Sequence, residues 1–183
     1  MRITAETYRG YLKRLHKLNV RKLGEGGFGA VFQHPEFSNV VVKVVREDAL
    51  YLKFAKFAMD NPKNPWLPKI ADIRMVPFDD SKKGYLVFTE KLKSPSEKDI
   101  MKFKMLVPGD GKHRAPSMER TDPENYHKLL LRPGWQRLEK SRNLFLAQLA
   151  TFMLKNYRHL DLGIRGDNMM MRGSQLVFTD PLA

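Results

Sequence analysis

Apolar residues in this chain follow two different periods, and the switches between them lay out its organisation. After Thr4, a residue suited to cap a helix, Tyr8, Leu12, Leu15 and Leu18 recur every three or four positions. That spacing predicts a first helix with an apolar stripe on a basic body. From Val20 the period shortens. VRKLGEGGFGAVFQH predicts strand, turn and strand, HPEFSN a turn, and NVVVKVV a β-branched strand. The helical period returns in DALYLKFAKFAMDN, where Leu50, Phe54, Phe57 and Ala58 share a face. NPKNPWLPKI is Pro-rich and has to leave that helix.

IADIRMVPF and GYLVFTEKL predict two further strands around a polar turn at DDSKKG. SPSEKDIMKFKM fits one helix. PGDGKHRAPSMERTDP lacks an apolar period and fits a loop. A long helix is expected from about Trp135 to Tyr157, with Leu138, Phe145, Leu149, Phe152 and Met153 inward. MMMRG and QLVFTD then predict a small hairpin turning at GSQ. Strands come first and helices mostly after, with no internal repeat: an α+β chain with a sheet lobe and a helical lobe.

Composition narrows the class. With 183 residues, the chain is long enough for one domain or two small lobes. No apolar run approaches the roughly 20 residues that a membrane helix needs. The N-terminal residues MRITAETYRGYLKRLHKL carry no secretory pattern, so no leader and no membrane are expected. There is no cysteine, which removes disulfides and thiolate metal sites and fits a reducing cytoplasm. Net charge is +13, which suits a well-solvated basic protein or attraction to polyanions, to ATP phosphates or to an acidic partner. Nucleic acid is among those partners by charge, but no nucleic-acid-binding motif supports it. His16, His34, His113 and His127 show no metal-ligand spacing. The ten methionines, three of them at 169–171, fit core filler better than a metal site.

The most specific stretch is LGEGGFGAVF. Leu23, Gly24, Gly26, Phe28, Gly29 and Val31 match G-x-G-x-x-G-x-V between two strands. Such glycines let a hairpin lie over a triphosphate with its N–H groups aimed at oxygen. Phe28 at the tip would shield the phosphates, and Val31 would pack on a base ring. A strand and a turn follow the loop, where a dinucleotide fold would have a helix. Lys43, inside VVVKVV, sets a cation among valines and calls for an anion such as a nucleotide phosphate.

The loop, Lys43, YLVFTEKL and HLDLGIRGDN…VFTDP together resemble a eukaryotic-type serine/threonine protein kinase, most of all the small early kinases of podophages that infect bacteria. The resemblance covers residues 20–92 and 138–183. It implies a minimal bilobal fold: residues 1–92 an antiparallel N-lobe sheet with one helix, residues 93–183 a reduced helical C-lobe, with ATP between them. It also implies Thr89 as gatekeeper and Glu90 to Leu92 as a hinge whose backbone binds adenine. Asn168 and Asp180 would hold Mg²⁺. The implied activity is transfer of the γ-phosphate to Ser or Thr of host bacterial proteins, in the host cytoplasm. Ser94, Ser96, Ser117 and Thr121 lie in polar stretches open to autophosphorylation. Oligomeric state is not implied.

Three departures from the family pattern stand out. The helix after the lysine strand lacks the family's acid, so Lys43 pairs with Glu47 or Asp48 or is held by nucleotide alone. Only three residues follow Asp180, with no Phe-Gly after it, no activation segment and no A-P-E motif. Third, the family's base lies five residues before the Asn, and Gly163 is there. Arg165 sits where the family often has a phosphate-contacting Lys, so the register to Asn168 holds. Three explanations stand side by side. Asp161 acts across a two-residue insertion, with His159 supporting the loop. Alternatively the chain is a pseudokinase that binds ATP, or binds a host protein or nucleic-acid machinery through its basic surface, without transfer. In the third, Gly163 replaces an Asp in an otherwise active enzyme. A small-molecule kinase of the aminoglycoside type shares the fold and ranks last, because its substrate calls for a larger helical lobe.

Overall fold

The computed structural model describes residues 10, 13, 20–26, 29–46, 49–77, 83–106, 135–156 and 169–179, with the backbone alone for 102–106. Gly10 and Lys13 are helical. The rest of the expected first helix lies outside the described residues.

The β-branched and glycine-rich stretches form an antiparallel sheet. Its strands are β1 (Lys22–Gly26), β2 (Gly29–Gln33), β3 (Val40–Arg46), β4 (Ile70–Pro77) and β5 (Lys83–Glu90). They lie in the order β1-β2-β3-β5-β4. Between β3 and β4 the chain makes helix α1 (Ala49–Asp60), so β5 rather than β4 pairs with β3. The β2–β3 connection is clamped by the Gln33 amide, which donates to the carbonyls of Phe37, Ser38 and Val40. The His34 ring nitrogen Nδ1 accepts from the amides of Glu36 and Phe37.

Successive strand residues face opposite sides, and directly paired residues share a side. One side gathers Ala30, Phe32, Val42, Val44, Val76 and Leu86 into a buried cluster. The other packs Val45 and Val87, with Ile73 and Tyr85, against Tyr51, Leu52 and Ala55 of α1. Val42, Val44, Val45, Leu86 and Val87 are fully enclosed, so the two central strands carry apolar side chains inward on both sides. Burying each such residue stabilises by about 1.5–3 kcal/mol.

In α1 the buried residues are Tyr51, Leu52, Phe54, Ala55 and Ala58, whereas Leu50 and Phe57 are only half-buried. The buried stripe is therefore turned from the expected one toward Tyr51 and Ala55. The Asn61 amide closes the helix by donating to the Phe57 carbonyl, and Pro62 follows.

The single long helix expected from 135 to 157 is two. A short turn at 135–139 ends, and α3 (Leu144–Lys155) begins afresh. The break is made by Asn143, in extended conformation, whose side-chain oxygen accepts from the amides of Phe145 and Leu146. Restarting the helix changes its phase. Leu146, Leu149, Ala150 and Met153 face inward, while Phe145 is exposed. Asn143→Ala is expected to lower stability by about 1 kcal/mol, the usual worth of such a cap, read as an earlier midpoint in urea unfolding. Helix α2 (Glu97–Leu106) starts at a reciprocal cap: the Ser96 hydroxyl donates to Asp99, and the Asp99 amide donates back to that hydroxyl. The Ser96 hydroxyl, considered above for modification, has this capping role.

Strands β6 (Met169–Arg172) and β7 (Gln175–Phe178) form the expected hairpin. Gly173 turns it at φ +61°, a left-handed position where a Cβ is strained. Lys93 pairs with Met171 alongside β6. Trp135 is buried and stacks at a tilt on Phe178.

The chain divides into two compact units, Met1–Pro62 with Pro68–Lys91, and Lys63–Leu67 with Leu92–Ala183. Residues 63–67 thus depart from the expected first lobe. Buried Asn64 explains this: its amide nitrogen donates to the Phe145 carbonyl (2.9 Å) and to Gln148 (3.1 Å). Phe178 donates its amide to the Trp66 carbonyl, and the Arg172 guanidinium bridges the carbonyls of Pro65 and Leu67.

Candidate functional site

The sheet's register decides which candidate residues share a surface. Val31 of β2 pairs with Lys43 of β3, and Lys43 pairs with Val87 of β5. Thr89 pairs with Val41, two positions along from Lys43. Val31, Lys43 and Thr89 therefore lie on one side of the sheet, the side that receives α1. Val31 and Val87 flank Lys43 across the strands, and Val41 and Val45 flank it along its own.

The glycine-rich stretch forms the edge of this surface. β1 and β2 are paired up to Gly26 and Gly29, and the connection is Gly27 and Phe28, which lie outside the described residues. Leu23 is exposed on β1. Gly24 and Gly29 have different surroundings. A Cβ on Gly24 would meet nothing within 4 Å. On Gly29 it would fall 2.1 Å from the Val44 carbonyl oxygen, inside any contact distance. Gly29 is required by the close approach of β2 to β3 before any ligand is considered.

Lys43 is half-buried. Its ammonium lies 3.5 Å from the centroid of the Tyr51 ring, which is 3% exposed. An ammonium on an aromatic face is worth about 0.5–2 kcal/mol, toward the upper end when water is excluded. Sequence reading offered Glu47, Asp48 or a nucleotide as partners for Lys43 and missed this ring. Glu47 and Asp48 lie outside the described residues. The signal was present, since Tyr51 stands three and seven positions before Phe54 and Ala58 and so on their stripe.

The Thr89 hydroxyl donates to the Lys69 carbonyl (3.2 Å). The Glu90 amide donates to the same carbonyl, and the Lys69 amide donates to the Glu90 carboxylate (2.7 Å). The Lys91 amide donates to the Asn39 carbonyl. Leu92 is half-buried and belongs to the second unit. Of the N–H groups at 90–92, those of Glu90 and Lys91 serve the fold, and that of Leu92 has no partner among the described residues.

Phe28, Asp161, Gly163, Arg165, Asn168 and Asp180 lie outside the described residues, as does His159. What is described beside them is the β6–β7 hairpin, in which Met169 pairs with Phe178. Among the described residues no group of three or more His, Cys, Asp or Glu is placed to hold a metal ion. No helix among them is long and apolar enough to cross a membrane.

Neither a scan against protein-family models nor a search of curated proteins returns a match. Among solved structures, the chain is similar to the streptomycin–ATP–APH(2″)-IIa ternary complex. That match has 13% identity over 97% of this chain and 70% of the other, with a TM-score of 0.33. A likeness that slight carries neither activity nor ligand across.

Proposed function

We propose that this chain binds Mg-ATP on the α1 side of its sheet and transfers the γ-phosphate to Ser or Thr hydroxyls of host bacterial proteins. The observation that supports this best is the shared surface of Val31, Lys43 and Thr89, edged by a glycine hairpin. A half-buried cation among valines is placed to meet a phosphate, and attraction between them is stronger there than in bulk water. Val31 offers an apolar face to a base. Gly24, with open space around it, lets a ligand approach the β1 backbone.

Magnesium fits the chemistry of Asn168 and Asp180, whose amide and carboxylate oxygens are hard donors suited to it. They are chain neighbours of the paired ends of β6 and β7: Asn168 precedes Met169 directly, and Asp180 follows Phe178 by two. Bound there, the ion would neutralise charge on the phosphates. Arg165 would contact the transferring phosphate.

A second reading has one observation in its favour, Gly163 at the base position. In it the chain is a pseudokinase that binds nucleotide and acts on a host target through its basic surface. Incubation with labelled ATP, magnesium and a bacterial lysate separates the two. Labelled protein bands support transfer, and binding without label supports the second reading. Lys43→Met is expected to abolish the heat of Mg-ATP binding in calorimetry while leaving circular dichroism unchanged. Undiminished heat from that variant would remove the proposed phosphate site.

A further inference from the structure

We infer that Tyr51 is a positioning residue for Lys43, holding its ammonium in place for an anionic ligand through the face of a neutral ring. The inference rests on the nucleotide-binding reading above. A lysine side chain has four rotatable bonds and loses considerable rotamer freedom when it is fixed. Here the ammonium is 3.5 Å from the Tyr51 centroid, and the ring is itself pinned in the cluster of Val45, Leu52, Ala55 and Val87. Part of the ordering cost is thus met before a ligand arrives, and binding is tighter for it.

A ring differs from a carboxylate in one consequential way. A carboxylate fixes a lysine by cancelling much of its charge. The quadrupole of a ring attracts the ammonium with no opposing net charge. Helix α1 has no acid in its first turn and brings the Tyr51 ring to this surface.

Two measurements on the full chain test this. The first needs no nucleotide. In a carbon–proton spectrum of lysine-labelled protein, the Lys43 ε-methylene, assigned by its loss in Lys43→Met, is expected upfield from ring-current shielding. Tyr51→Phe should retain that position, and Tyr51→Leu should return it to the position of an ordinary lysine. The second is Mg-ATP affinity by calorimetry. Tyr51→Leu is expected to bind roughly two- to thirtyfold more weakly, the span that corresponds to the usual worth of such a contact, and Tyr51→Phe near wild type. Rescue by phenylalanine separates positioning from mere core filling, which leucine also supplies.

An unshifted Lys43 signal in the wild-type protein overturns the inference, as does equal affinity of the Leu and wild-type forms. If the signal is shifted but the wild-type protein gives no heat with Mg-ATP, the proposed function fails and the positioning role fails with it. The shifted signal identifies that case.

Discussion

Gly163→Asp is expected to raise phosphoryl transfer at least tenfold, measured as label moved from ATP to protein in a lysate. A positioned base supplies on the order of 10² to 10⁴ in rate, because it accepts the hydroxyl proton as the oxygen attacks. Glycine at that position supplies no acceptor. Nucleotide affinity should hardly change, since clamping phosphate and accepting a proton are separate tasks. The companion variant is Asp161→Ala. If Gly163→Asp gives no gain and Asp161→Ala loses the activity present, the base is Asp161 and the loop carries two extra residues. If neither change moves the rate and nucleotide still binds, the pseudokinase reading gains.

The second large effect is on stability. Gly29→Ala sets a methyl 2.1 Å from the Val44 carbonyl oxygen. Backbone cannot rotate aside as a side chain does, so β2 has to part from β3. Overpacking of this kind costs about 3 kcal/mol or more, which for a chain of this size lowers Tm by roughly 10 °C. Gly24→Ala is the matched control. It meets nothing within 4 Å and should leave Tm nearly unchanged while weakening Mg-ATP binding. An equal loss of Tm in both variants would contradict the distinction drawn between the two glycines.

That distinction shows how far a motif can be read. The spacing of Gly24, Gly26 and Gly29 located the hairpin correctly, but the same letter stands at an open position, Gly24, and at a crowded one, Gly29. The β-branched run around Lys43 and the pair of strands ending at Glu90 were legible, because their periods are strong and local. So was the small hairpin at Gly173. The interruption at 140–143 was hidden. Leu138, Phe145 and Phe152 sustain a helical spacing across it, and a side-chain cap such as Asn143 leaves little mark in hydropathy. The partners of Asn64 lie more than eighty positions away, and no local pattern reports them. For the candidate site, Val31, Lys43 and Thr89 were named from the sequence, and the register puts them on one side of the sheet. Tyr51 was missed because an aromatic residue on a helix stripe reads first as core.

The route of the chain through Asn64 bears on how this protein can be dissected. Severing it after Lys91 would give a fragment that still carries residues 63–67 but has lost Phe145, Gln148, Arg172 and Phe178, to which they bond across the chain. Asn64 would keep a stranded amide, and the carbonyls of Pro65 and Leu67 would lose the Arg172 guanidinium. A better minimal fragment would replace 63–67 by a short polar bridge between Pro62 and Pro68, since no single scissor point yields a self-sufficient sheet.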